Sequence, residues 1–304
     1  MMVSKKVRRW FYTVLIALLL VLLSAMLVIS RQQALELVYH PLPERAELDT
    51  DPQDFGFAYQ NVSRESADGV ELHAWYIPSQ NGAAVILQHG YKSDRSELLE
   101  EAAMLATHGY GILMSSIRAH DENEGALIGF GLNEMPDLDT WFEFLVAQPG
   151  ISPEKIGMLG NSLGGSMVIQ YAADNPRINA VVAHSAFSSM ADTINTSIRY
   201  YTDLPAFPFA DLIRFWAERE LGGRIEDIDA SLWIGQLSPR PVLILHSTTD
   251  IVISQESGEL LFAAANEPKE LWQVENVDHA SFDQQLAQEF ELRVVAFFDR
   301  YLLD

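Results

Sequence analysis

Apolar residues fall along this chain in distinct rhythms, and each rhythm predicts an element. Residues 10–30 run without a single charged side chain. At about 1.5 Å per residue they are long enough to cross the roughly 30 Å core of a bilayer as one helix. Short, wholly apolar runs follow at 83–88 (AAVILQ), 111–115, 156–159, 180–184 and 241–246, as expected for parallel strands covered on both faces. Amphipathic stretches between them, at 97–107, 138–147 and 165–173, predict helices. Segments 55–66 and 70–78 read as paired strands around Asp68-Gly69, a dipeptide suited to the positive φ of a tight hairpin. A strand at 270–274 precedes a final helix at about 282–301. The alternation predicts an α/β fold, a mostly parallel doubly wound sheet with an antiparallel start. Ligands of such sheets sit beyond the carboxyl ends of the strands.

Lys5, Lys6, Arg8 and Arg9 precede the first apolar run. This arrangement predicts a single-pass anchor in the cell membrane, with the N-terminus cytoplasmic and the remaining chain extracytoplasmic. A cleaved signal peptide is the competing reading. Its apolar region is usually about 7–15 residues long and ends at a small-residue site, whereas this run is longer and closes with Met26-Leu27-Val28-Ile29-Ser30-Arg31. Residues 1–31 are therefore read as basic segment and anchor. Residues 32–54, with Pro41, Pro43, Pro52 and many acids, read as a stalk, and 55–304 as the domain.

Charge sharpens this division. The 304-residue chain has a formal charge of -22; residues 1–31 hold five Lys or Arg and no acid, so 15 basic and 42 acidic side chains remain beyond them, a charge of -27. Such a surface repels phosphate backbones, which argues against nucleic acid as a partner, and it favours solubility. It also keeps the domain off anionic headgroups. The absence of cysteine from the sequence excludes disulfides, thiolate chemistry and Cys-based metal sites.

One interruption of the apolar pattern carries chemistry. Residues 156–173, IGMLGNSLGGSMVIQYAA, break a strand with Gly160, Asn161, Ser162, Leu163, Gly164 and Gly165 before helix formers resume. A glycine costs about 1 kcal/mol relative to alanine inside a helix, so these need a reason. A strand that turns sharply into a helix while presenting one side chain outward has no room for Cβ atoms two residues to either side. Gly160 and Gly164 then let Ser162 stand exposed, and the helix N-terminus favours negative charge developing beside it.

A serine hydroxyl needs a base to take its proton and an acid to orient that base. For a serine on this kind of turn, the acid and then the histidine follow along the chain. Asp250 closes PVLILHSTTD, and among eight histidines only His279, in ENVDHASF, lies beyond it. Asp278 is the competing acid, but adjacent loop residues rarely face each other. His184 and His246 end strands and are read as lining or supporting the site, while His40, His73, His108 and His120 are read as surface or packing residues. The oxyanion donors are read as the backbone N–H groups of Leu163 and of Tyr91, in the turn His89-Gly90-Tyr91. The Tyr91 phenol is a candidate substrate contact.

With these pieces in order, the chain resembles the α/β-hydrolase superfamily, and within it the serine-aminopeptidase-like and monoacylglycerol-lipase-like branch. QHGY at 88–91, GNSLGG at 160–165, RPVLILHSTTD at 240–250 and PKELWQVENVDH at 268–279 carry the resemblance, which spans 55–304. Relatives usually carry R-x-H-G-x-S-x-G after the fourth strand. Here RAHDENEG puts Asp121 in place of the glycine, a change expected to alter the loop or add negative charge near the pocket.

Residues 190–238, with Pro205 and Pro208 breaking helices, read as a helical cap over the site. Phe207, Phe209 and Trp216 are its candidate substrate contacts, and packing of the cap onto the domain is the equal alternative. The expected function is a membrane-anchored serine hydrolase acting on carboxylic esters, thioesters or acyl lipids through an acyl-enzyme, with no metal or organic cofactor. A serine peptidase or aminopeptidase with the same triad is the alternative within that class. A non-catalytic binding module on a retained hydrolase fold is the alternative outside it.

Overall fold

The structure is a computed structural model, and residues 5–42, 44–45 and 47–304 are described. A long helix α1 (Lys5–Val38) leads into β1 (Gln60–Glu65), β2 (Glu71–Ile77), β3 (Ala84–Gln88), α2 (Leu99–Thr107), β4 (Gly111–Ser115), α3 (Met135–Val146), β5 (Ile156–Asn161), α4 (Leu163–Asp174) and β6 (Ala180–His184). The cap holds α5 (Met190–Tyr201), α6 (Ala206–Leu221) and α7 (Ala230–Trp233). Strand β7 (Val242–Ser247), α8 (Ser257–Ala264), β8 (Lys269–Val274), α9 (Phe282–Gln285) and α10 (Ala287–Phe298) complete the chain.

Eight strands form one sheet in the order β1-β2-β4-β3-β5-β6-β7-β8. Only the β1–β2 and β2–β4 pairs are antiparallel, so the antiparallel start and parallel body are both as expected. Alternation within strands explains why the parallel runs read as wholly apolar. Ala84 and Ile86 of β3, with Val242 and Ile244 of β7, enter one core. Val85 and Leu87, with Leu243 and Leu245, enter the other, beneath α2 and α10.

Several predicted boundaries move for local reasons. The first strand shortens to Gln60–Glu65, an exposed edge. The helix expected from residue 97 opens with a 3-10 turn, Arg95–Leu98, whose N-cap Asp94 accepts the Ser96 N–H at 2.8 Å. The final helix is divided at Leu286, where φ is -131°.

A larger correction concerns the start of the expected stalk. Residues 32–38 continue α1, and Ser30, Ala34 and Val38, four residues apart on one face, are buried. The small side chains at 30 and 34 allow close packing of α1 along α6. Beyond the helix, Tyr39 pairs with Leu127 in an isolated bridge, and its hydroxyl donates to Glu220 at 3.2 Å. Buried Arg45 donates to the carbonyls of His40, Asn123 and Gly125. This segment is seated on the domain because its backbone groups find partners there.

Asp121 also has a structural account. Its φ is 33°, in the left-handed region that glycine occupies most readily. Its carboxylate is buried and pairs with the equally buried Arg95 at 3.3 Å, while Ser116 donates a further hydrogen bond. The charge is thus neutralised inside the loop. Removing one partner of such a pair typically costs about 3–5 kcal/mol, because the other is left buried. Arg95→Met is therefore expected to lower Tm sharply in thermal melts, and adding Asp121→Gly to recover much of the loss. Equal melting of the single and double variants would refute this account of the loop.

Candidate active site

The elbow between β5 and α4 sets the geometry of the site. Ser162 has φ 53° and ψ -114°, a conformation costly for a residue with a side chain. A Cβ at Gly160 would lie 2.3 Å from the Gly164 carbonyl oxygen, and one at Gly164 would lie 2.1 Å from that of Gln88. Gly165 is constrained too, with Gly160 O only 2.9 Å from its Cβ position. The glycines therefore let strand, helix and the end of β3 meet at backbone distance.

His279 reaches this elbow from the loop after β8. Its Nε2 lies 2.9 Å from Ser162 Oγ, and its Nδ1 lies 2.6 Å from Asp250 Oδ2. The other carboxylate oxygen accepts the N–H groups of Val252 at 2.8 Å and Ile253 at 2.9 Å. Burial pushes the Asp250 pKa up, but the hydrogen bond and charge of His279 and the two backbone donors outweigh it, leaving the group below its ordinary value. Asp278 instead accepts a bond from the Gln285 side chain at 2.8 Å and is exposed. The Ala280 N–H donates to Ser185 Oγ at 3.1 Å, fixing the histidine loop to the end of β6.

Leu163 opens α4, so its N–H has no acceptor one turn earlier within the helix. Opposite it, a Cβ added at Gly90 would lie 3.5 Å from Ser162 Cβ, which places the Gly90-Tyr91 turn beside Ser162. Lys92 has φ 53°, and its N–H donates to His120 Nε2 at 3.0 Å. His89 Nδ1 meets the Gly90 carbonyl at 2.8 Å, and its Nε2 accepts the Ile117 N–H at 3.0 Å. Burial first, then His89, pushes the His120 pKa well below the usual value, so its ring is neutral and can accept. Sequence reasoning gave these two histidines no such part. Their signal was positional, since one follows β3 and the other follows β4, adjacent strands of the sheet.

A pocket of roughly 510 Å³ rises over Ser162 and Leu163, lined by Phe130, Phe187, Met190, Ile194, Ile198, Tyr201, Ile213, Val252 and Ile253. Its size suits a small-molecule substrate. The three cap candidates do not line it, which corrects that expectation. Phe207 is 82% exposed, whereas Phe209 and Trp216 are partly buried against the core. The inward face of α6 is set by Ala210, Ile213, Ala217 and Leu221, and only Ile213 of these reaches the pocket. The Tyr91 ring lines the wall, stacked on Phe130 at 5.6 Å, while its hydroxyl donates to the Leu37 carbonyl at 2.8 Å.

Polar groups are also buried behind the elbow. His184 Nδ1 lies 3.0 Å from Asn161 Oδ1, and the Asn161 amide donates to Glu101 at 2.9 Å. His246 Nε2 meets the Ser254 carbonyl at 2.9 Å, so both strand-end histidines support the site from below. Burial, then His279 and His246, lower the His184 pKa to about 3. Glu101, His184 and Asp283 present ligand-type atoms within 4.8 Å of one another. One such atom on each lacks a hydrogen-bond partner among the described residues. Burial and then Asp283 hold the Glu101 pKa well above the carboxylate range, while burial and then Glu100 push Asp283 up to about 6. Two buried carboxylates this close resist ionising together, which fits the upward direction of both.

The chain is similar to known hydrolases in sequence and in fold. Residues 63–205 match the X-Pro dipeptidyl-peptidase (S15) family. The chain is 30% identical over 225 residues to the uncharacterized protein Rv2307c of Mycobacterium tuberculosis, covering 73% of each. It is 29% identical over 259 residues to the uncharacterized protein YfhR of Salmonella typhi, covering 80% of this chain and 77% of that one. Among solved structures, the Pyrococcus furiosus esterase Pf2001 superposes with a TM-score of 0.74 at 25% identity, over 88% of this chain and 98% of the esterase. The chain belongs to the α/β-hydrolase superfamily. Within that class it is an esterase-like serine hydrolase.

The acid cluster makes a pH-dependent prediction. Glu101 and Asp283 are harder to ionise folded than unfolded, so their contribution to stability is complete below about pH 4 and is lost as pH rises through their raised folded values. Wild-type Tm is expected to fall through these groups as pH rises from about 4 through about 6, the raised value of Asp283, and Glu101→Gln to flatten that fall. An unchanged slope, or a Tm that drops on adding a chelator, would point to a bound cation instead of a proton.

Proposed function

We propose that this protein is a membrane-anchored hydrolase of carboxylic esters, thioesters or acyl lipids, working through Ser162, His279 and Asp250. The observation that carries the reading is the imidazole of His279, held between Ser162 Oγ at 2.9 Å and Asp250 Oδ2 at 2.6 Å. As Ser162 Oγ attacks the carbonyl carbon, His279 Nε2 takes its proton, and Asp250 stabilises the imidazolium that forms. The backbone N–H groups of Leu163 and Tyr91 receive the oxyanion. His279 returns the proton to the leaving oxygen or sulfur, giving an acyl-enzyme. It then deprotonates the water that releases the acid.

Residues 1–31 form the anchor, 55–304 the hydrolase domain, and about 190–238 its cap. Helix α1 alone among the described helices is long and apolar enough to span a bilayer. The basic cluster before it favours a cytoplasmic N-terminus and an extracytoplasmic domain. The apolar pocket lining supports an acyl substrate. A serine peptidase is the second reading, favoured by the S15 match and by Glu36, whose carboxylate at the pocket mouth suits a substrate amine.

The full chain in detergent is expected to label with a fluorophosphonate, with labelling lost in Ser162→Ala and strongly reduced in His279→Ala. Turnover of a short-chain ester should fall about 10⁴-fold or more in either variant. Faster cleavage of aminoacyl amides than of esters would move the assignment to the peptidase reading. Folded wild-type protein that neither labels nor turns over would remove the hydrolytic reading altogether.

A further inference from the structure

The wall of the pocket nearest α1 contains residues of α1 itself. Gln33, Glu36 and Leu37 line the cavity over Ser162. Counted along the helix from Arg31, which ends the charge-free run, Gln33 and Leu37 lie about 3 Å and about 9 Å further along the axis. A headgroup layer is roughly 5–8 Å deep on each side of the apolar core, so Gln33 stands within it and Leu37 just beyond its outer edge. One continuous helix thus crosses the bilayer and then forms one side of the active-site mouth.

This wall is tied directly to the catalytic loop. The Tyr91 hydroxyl donates to the carbonyls of Leu37 at 2.8 Å and Glu36 at 3.3 Å, and Lys92 Nζ donates to the Glu36 carbonyl at 2.6 Å. Those carbonyls lie in the last turn of α1, where no later N–H of the helix can take them. The turn that carries one proposed oxyanion donor therefore hangs on the end of the membrane helix. On the other side, Ser30, Ala34 and Val38 pack along α6, which presents Phe207 and Phe215 to the exterior. Tyr200 and Tyr201, at the end of α5, are also exposed. Aromatic rings of this kind favour the membrane interface.

We infer that the pocket takes its substrate sideways from the bilayer in which α1 sits, and that this substrate is a neutral membrane-resident acyl lipid whose chain slides past Gln33 and Leu37. The inference rests on the serine-hydrolase reading of the same pocket and names its substrate class. Neutrality follows from the charge of -27 beyond residue 31, which disfavours anionic headgroups at the mouth. A substrate delivered by a carrier or from water would have no use for a wall made of the anchor.

The test uses the full chain reconstituted in phosphatidylcholine vesicles. Dioleoylglycerol is supplied either in the same vesicles or in separate ones, with p-nitrophenyl butyrate as the water-borne ester. Hydrolysis of dioleoylglycerol is expected to be at least about tenfold faster when it shares the enzyme's bilayer. The ratio of lipid to butyrate turnover is expected to fall about tenfold or more in Leu37→Asp, which puts a charge on the wall. Gln33→Trp, which narrows the mouth without adding charge, should shift the ratio the same way if Leu37→Asp fails to fold. Equal rates from shared and separate vesicles, butyrate turnover without lipid turnover, or a ratio unmoved by the folded variants overturns the inference. Loss of both activities together with fluorophosphonate labelling in wild type marks failure of the hydrolase reading beneath it.

Discussion

The architecture depends on one close approach of backbone to backbone. Strand β5 must end, turn and become α4 within reach of the carboxyl end of β3, and the space left at Gly164 is smaller than a methyl group needs beside the Gln88 carbonyl. The placement of Ser162 follows from that contact. It goes with the positive φ of Ser162, and the Gly90-Tyr91 turn lies beside that residue. Strain at a functional residue persists only where surrounding packing over-determines it. Here the two flanking strands, β3 and β6, both lie fully inside the sheet.

A strained elbow also needs support from beneath, and apolar packing alone would leave its polar groups unsatisfied. Asn161, immediately before the nucleophile, solves this by bonding Glu101 on one side and His184 on the other. The same device appears across the site, where His120 accepts the Lys92 N–H and His89 accepts the Ile117 N–H. Buried polar networks of this kind cost desolvation and give a single arrangement in return. The loop after β4 uses charge for the same purpose, with Arg95 offsetting Asp121 where a glycine would have needed no partner.

The legible and illegible parts of the site divide along a physical line. Glycine spacing, strand-end position and chain order belong to local sequence, so Ser162, Asp250 and His279 stand out there as candidates, and the fold brings the three within hydrogen-bond distance. Wholly apolar runs likewise exposed the parallel strands, because burial on both faces removes the alternation that would confuse them with an edge. Contacts between distant segments left no such mark. Nothing local to Phe207, Phe209 or Trp216 tells which face of α6 looks into the cavity, and the aromatic bias of the cap misled on that point. His120 read as a packing residue because its role exists only once β4 lies beside β3. Residues 32–38 read as stalk because acids and nearby prolines mask a helix whose continuation is decided by α6.

That last misreading carries the most functional weight. A stalk would make the anchor a tether, adjustable in length and irrelevant to chemistry, and the domain would behave alike on or off the membrane. A helix that runs unbroken into the pocket wall couples the two differently. Its packing along α6 ties it to the cap, and its final carbonyls hold the phenol of Tyr91, so the Gly90-Tyr91 turn is bound to a helix whose other end is long and apolar enough to span a bilayer. On the proposed anchoring through α1, one helix would then set both the pocket wall and the orientation of the pocket to the bilayer.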